Sequence, residues 1–110
     1  MVKIDYTFPD NPIKIGQNSQ ENDKMISEAK QNDMWFHLSN LPSCHVIIAH
    51  SDKQEITKQM ILYCANLVKQ NTKFRNLHKI RINYTFIKNV RKTTIPGKVN
   101  ISGKMESIVV

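Results

Sequence analysis

The stretch DMWFHLSNLPSCHVIIAH, Asp33 to His50, reads as two strands joined by a turn. Met34, Phe36 and Leu38 alternate with Trp35 and His37, the period-two pattern of a strand with two different faces. Pro42 closes it, because proline has no N–H to give a ladder. CHVIIAH is a β-branched run typical of a central strand.

Such a sheet needs cover, and two flanking segments can supply it. From Ser19, a candidate N-cap, SQENDKMISEAKQN places Met25, Ile26 and Ala29 on one face of a short helix. SDKQEITKQMILYCANLVKQN carries Ile56, Met60, Tyr63, Cys64, Leu67 and Val68 at helical spacing, with Ser51 or Asp52 available to cap its start. Further strands read from KIDYTF, where Ile4, Tyr6 and Phe8 alternate until PDNP, and from IKIG. In HKIRINYTFIK, Ile80, Ile82, Tyr84 and Phe86 oppose Lys79, Arg81, Asn83 and Thr85. NVRKTTIPGK reads as a loop with a Pro-Gly turn, and VNISGKMESIVV as a terminal hairpin or strand pair around Gly103. The expected fold is α+β: one domain over residues 1–110, with a mixed or antiparallel sheet flanked by two helices.

Length agrees with this, since 110 residues at 40% hydrophobic content suffice for one modest core. Cys44 and Cys64 lie inside apolar runs without CxxC spacing, so they are expected to be reduced and buried, as in an intracellular protein. The N-terminus has no apolar leader segment, and no apolar run approaches the roughly 20 residues of a membrane span. A soluble chain of the cytoplasm or nucleus follows as the expectation, the cytoplasm first.

The charge is the informative quantity. Residues 1–68 hold six lysines against eight acidic residues, whereas residues 69–105 hold ten Lys and Arg and no acid. Glu106 alone interrupts the basic third. Such a segment suits a polyanion. Lys79, Arg81, Lys88, Arg91, Lys92 and Lys98 are the candidates for phosphate contacts, and Phe74, Tyr84 and Phe86 interleave with them, although Tyr84 and Phe86 share the apolar strand face and fit a core better.

Catalytic patterns are weaker. His37, His45 and His50 would approach one another if the two strands pair, with Asp33 or Asp52 adding oxygen, but no HxH or HExxH spacing supports a metal centre. Cys44 and His45 are consecutive, so a regular strand sends them to opposite faces and forbids a dyad. Gly16 stands alone, without the spacing of a phosphate loop. Neither an enzyme nor a cofactor is expected.

These residues resemble the RNA-binding domain of the NFACT proteins. GQNSQEND is similar to that family's GRNxxQND signature, and NDMWFHLSNLPSCHVII to its D-x-W-x-H followed by P-G-[SA]-H-V. INYTFIKNVRKTTIPGKV is similar to V-x-Y-T-x-x-K-N-V-[KR]-K followed by P-G-x-V. The three run in order from about Ile13 to the end of the third motif. They fall on Gly16, Asn18, Asn22 and Asp23; on Asp33, Trp35, His37 and His45; and on Tyr84, Lys88, Asn89, Arg91, Lys92 and Gly97. Gln17 replaces a usual Arg, and Ser43 and Cys44 replace Gly and a small residue.

The resemblance implies a non-enzymatic RNA-binding module of ribosome-associated quality control, in a stand-alone version. Its partners would be tRNA or rRNA, including on the large ribosomal subunit, and no membrane. A DNA-binding module and an adaptor that docks an acidic protein on the basic face are the alternatives. In the RNA reading the six cations grip phosphates, while Asn18, Asp23, Trp35, His37 and His45 shape the neighbouring surface.

Overall fold

In the computed structural model, which describes all 110 residues, the Asp33–His50 stretch forms the middle of the sheet. Strands β3 (Met34–Leu38) and β4 (His45–Ile48) pair antiparallel, with Met34 opposite Ile48 and Phe36 opposite Val46. The other sheet strands are β1 (Lys3–Asp5), β2 (Ile13–Gly16), β5 (Arg81–Phe86) and β8 (Glu106–Val109). Their order is β1-β2-β4-β3-β5-β8, and every pairing is antiparallel. Strands β6 (Val90–Lys92) and β7 (Val99–Ile101) form a separate two-stranded ribbon. Helices α1 (Ser19–Glu28) and α2 (Lys58–Gln70) complete an α+β domain.

The alternation in β3 sorts the cover. Met34, Phe36 and Leu38 face α2 and join Ile13, Ile15, Val46, Ile48, Ile82 and the helix residues Met60, Cys64, Ala65 and Val68 in the larger core. Trp35 and Ile47 point the other way, onto Met25 and Ile26 of α1 and Ile87 and Val90 at the start of the ribbon. Each fully buried aliphatic or aromatic side chain contributes about 1.5–3 kcal/mol, so both layers are strongly anchored. Tyr84 belongs to the first layer, its ring stacked on Phe36 at 5.4 Å. Phe86 at the strand end stays 39% exposed, with the Lys88 ammonium 5.5 Å above its ring.

Several expectations need correction. Helix α1 is capped by Asn18, not Ser19: the Asn18 side chain accepts from the Glu21 N–H, and the Glu21 carboxylate accepts from the Gln17 N–H. Helix α2 begins seven residues after Ser51, capped by Thr57, whose hydroxyl accepts from the Met60 N–H. The segment before it is held open by Asn11, a fully buried side chain that donates to the carbonyls of Ala49 and Gln54. Strand β1 stops at Asp5 and leaves Tyr6 66% exposed. The segment read as a loop opens with β6, and β7 and β8 do not pair with each other: β7 turns back on β6, and β8 closes onto β5. Asn89 enforces that divergence, since its carbonyl accepts from Ser102 N–H and its amide donates to Thr85 Oγ1.

Gly16 is required by close approach. It faces His45 across the β2–β4 ladder, and α1 crosses directly above it. A Cβ there would overlap the Asn22 carboxamide oxygen and lie 2.8 Å from Met25 Sδ. That oxygen accepts the His45 N–H at 3.2 Å, so displacing it strips a buried donor of its partner. Gly16→Ala is expected to lower stability by about 1–3 kcal/mol, measured by denaturant unfolding. An unchanged midpoint would show that α1 is free to shift.

Candidate nucleic-acid interface

The face of the sheet opposite α2 carries a linked aromatic cluster. His37 is stacked parallel to Trp35, ring centroids 5.6 Å apart and planes 4° apart. Continuing the β3–β4 register past Phe36 and Val46 sets His37 opposite His45. The His45 ring stands edge-on to both neighbours, 4.9 Å from His37 and 5.5 Å from Trp35. The Trp35 indole donates to His45 Nδ1 at 3.1 Å. Because an indole N–H can only donate, His45 Nδ1 must be the acceptor and the ring proton sits on Nε2.

This cluster floors an open groove of about 510 Å³. Asn83 of β5 and Asn40 of the β3–β4 turn line it beside the histidines, and the loop between β6 and β7 walls it with Pro96, Gly97 and Lys98. Two left-handed positions build the walls. Asn40 adopts φ 62°, a conformation asparagine tolerates, and Gly97 adopts φ 79° where a Cβ would press on the Ser19 backbone at 3.0 Å. Ser43 closes the turn before His45 through its hydroxyl, which accepts from Leu38 N–H and donates to the Cys44 carbonyl.

The remaining signature residues hold the frame. Asp33 accepts from the backbone N–H groups of Lys30 and His50, tying the end of α1 to the end of β4. Asp23 binds the Lys92 ammonium at 3.1 Å and so joins α1 to the ribbon. The cations are dispersed around this frame. Lys98 lines the groove, and Arg81 shares the strand face of Asn83, donating to Ser107 Oγ at 2.9 Å. Lys88 lies in a 3₁₀ turn, Ile87–Asn89, that precedes β6, and Arg91 donates to its carbonyl at 2.6 Å. Lys79 is exposed just ahead of β5, and Lys92 faces α1 rather than solvent alone. Asn40 and Asn83 join the site without any motif to mark them: the SN-LP turn and the polar face of RINYTF are their only signals along the chain.

The histidine trio divides. His50 lies away from the pair and bonds Asp52 at 3.3 Å, and no three His, Cys, Asp or Glu side chains come together as a metal-binding group. Cys44 points into the larger core while His45 points into the groove, as strand alternation requires, and burial pushes the Cys44 thiol up to about 11.

Burial, and then the neighbouring His37, push His45 down to about 3, and burial lowers His37 as well. Both folded values lie below the unfolded value of about 6.5, so at intermediate pH the unfolded chain binds more protons. The stability is therefore complete above about pH 6.5 and falls as pH drops toward 3. Between pH 7 and pH 5 the His45 contribution should amount to a loss of about 2 kcal/mol. Urea unfolding at both pH values should show this drop, and His45→Gln should flatten it. An equal drop in the variant would assign it to other groups.

The comparisons with known proteins agree with this architecture. A family described as the NFACT protein RNA binding domain matches residues 3–106. Coiled-coil domain-containing protein 25 of Bos taurus is 32% identical over 85 residues, 74% of this chain and 41% of that protein. The Rqc2 homolog RqcH of Bacillus subtilis (strain 168) is 28% identical over 81 residues, 73% of this chain and 14% of that protein. Among solved structures, the C-terminal part of the fibronectin/fibrinogen-binding protein from Streptococcus suis superposes with a TM-score of 0.82 at 26% identity, covering 94% of this chain and 42% of that one. The chain thus spans less than half the length of each of these relatives. On the match over residues 3–106, the chain belongs to the NFACT RNA-binding domain family.

Proposed function

We propose that this domain is a non-enzymatic RNA-binding module of the cytoplasm that takes tRNA or rRNA in ribosome-associated quality control. The observation that carries the reading is uncompensated positive charge. Of the ten Lys and Arg in residues 69–105, only Lys92 and Lys104 have an ion-pair partner, Asp23 and Glu106 respectively. A folded protein that keeps its other cations there without carboxylates carries a surface suited to phosphates, and each phosphate neutralised releases counterions. Membership of an RNA-binding family and kinship with the Rqc2 homolog RqcH support RNA and that setting. No helix is long and apolar enough to cross a membrane.

In this reading Lys79, Arg81, Lys88, Arg91 and Lys98 contact phosphates directly. Lys92 contributes as well, but through an ammonium half committed to Asp23 and Ser27, so its removal also loosens the ribbon. The discriminating variant therefore neutralises Lys88 and Arg91, whose charges face no acid. Lys88→Gln/Arg91→Gln should weaken binding to structured RNA and flatten the slope of log K against log salt by roughly 0.7–0.9 for each phosphate no longer neutralised. Unchanged affinity and slope would overturn the assignment. Duplex DNA of equal charge, titrated in parallel, separates an RNA module from a DNA module, and failure to bind either at physiological salt would favour an adaptor for an acidic protein.

A further inference from the structure

One donor in the groove has no partner. His45 as a residue is 2% exposed, its Nδ1 is occupied by the Trp35 indole, and its Nε2–H has no acceptor in the protein. It is not sealed in the interior: Asn11 Oδ1 is the sole fully enclosed side-chain atom without a partner, and His45 lines the groove. An N–H of fixed tautomer that opens into a cleft is a directed donor, which a ligand acceptor can take over from water.

The surroundings select the ligand. His37, the more exposed member of the Trp35–His37 stack, offers a flat ring on which a third planar ring can lie. Asn83 supplies both donor and acceptor, suited to the edge of a heterocycle, and Lys98 stands at the wall with a charge for a phosphate. A volume of about 510 Å³ is ample for a nucleotide. A simple anion would have no use for the stack. Bases inside a duplex are already stacked and paired, so only an unpaired base has a ring face and an edge free for this surface.

We propose that the groove is a pocket for one unpaired nucleobase, stacked on His37, accepting from His45 Nε2–H and read at its edge by Asn83, with the adjoining phosphate on Lys98. This rests on the RNA-binding reading and adds to it a requirement for an unpaired nucleotide. The neutrality of His45 suits the role, since a neutral imidazole presents one directed donor.

Trp35 is the chain's only tryptophan and lines the groove, so its emission reports occupancy directly. Single-stranded oligoadenylate and oligouridylate, and a blunt RNA duplex with the same number of phosphates, would be titrated while binding is followed independently by anisotropy of a labelled end. At least one single strand should bind and shift Trp35 emission to saturation, while the duplex binds without moving it. His37→Ala and Asn83→Ala, each checked for folding by circular dichroism, should weaken single-strand binding about tenfold and leave duplex binding unchanged. Single strands that bind without altering Trp35, a duplex that alters it equally, or folded variants that bind single strands as tightly as the wild type would each overturn the pocket while leaving RNA binding intact. If no RNA binds at all, the pocket and the RNA reading both fall.

Discussion

The bond from the His45 N–H to the Asn22 carboxamide, made over the bare backbone of Gly16, is the constraint on which one side of the molecule depends. It lies where helix α1 passes closest to the sheet, and a side chain at position 16 would hold the two apart. With the helix seated, Met25 and Ile26 reach Trp35 and Ile47 to make the second core layer. Ser19 then supplies the surface on which Gly97 rests, and Asp23 meets Lys92. Three signature residues that look unrelated along the chain, Gly16, Asn22 and His45, thus meet at a single point.

The two faces of the sheet do different work. The α2 face is hydrocarbon, with two free cysteines held as thiols by burial and no groove lined by the histidines. The α1 face mixes indole, imidazole and carboxamide groups under a smaller cover. Acidic groups there serve as ties: Asp23 holds the ribbon, and Asp33 holds the end of α1 to the end of β4 through backbone donors. The groove between the ties is left with a neutral imidazole pair and one lysine. In the proposed reading, attraction at a distance would come from the surrounding cations and discrimination at close range from uncharged groups, a separation also found where phosphates position and bases specify.

Legibility from the sequence follows the range of the interactions involved. The alternation in DMWFHL and INYTF, the central β-branched run and the amphipathic pattern of α2 are local, and each corresponds to its element. The fates of VNI and ESIV are not legible, because the choice between pairing with each other and parting is made by Asn89, which reaches across to Ser102 and Lys104. The start of α2 is hidden for a similar reason: Ser51 and Asp52 are good local caps, yet Asn11, far away in sequence, claims the Gln54 carbonyl and delays the helix to Thr57. Within the groove, Trp35 and His37 neighbour each other by strand parity alone. That His45 joins them depends on the β3–β4 register, which the turn sequence does not reveal.

The β6–β7 ribbon shares no ladder with the six-stranded sheet; beyond the chain that runs into it from β5 through Ile87–Asn89, it is held by Val90, Val99 and Ile101 in the small core, by the Lys92–Asp23 ion pair, and by Gly97 pressed on a helix end. Such a wall can loosen without unfolding the sheet beneath it. Any molecule that touches both the sheet and the ribbon adds a bridge where no strand pairing makes one. Occupancy of the groove would then favour the arrangement in which ribbon and sheet stand together, because a ligand that touches both stabilises the state that holds them.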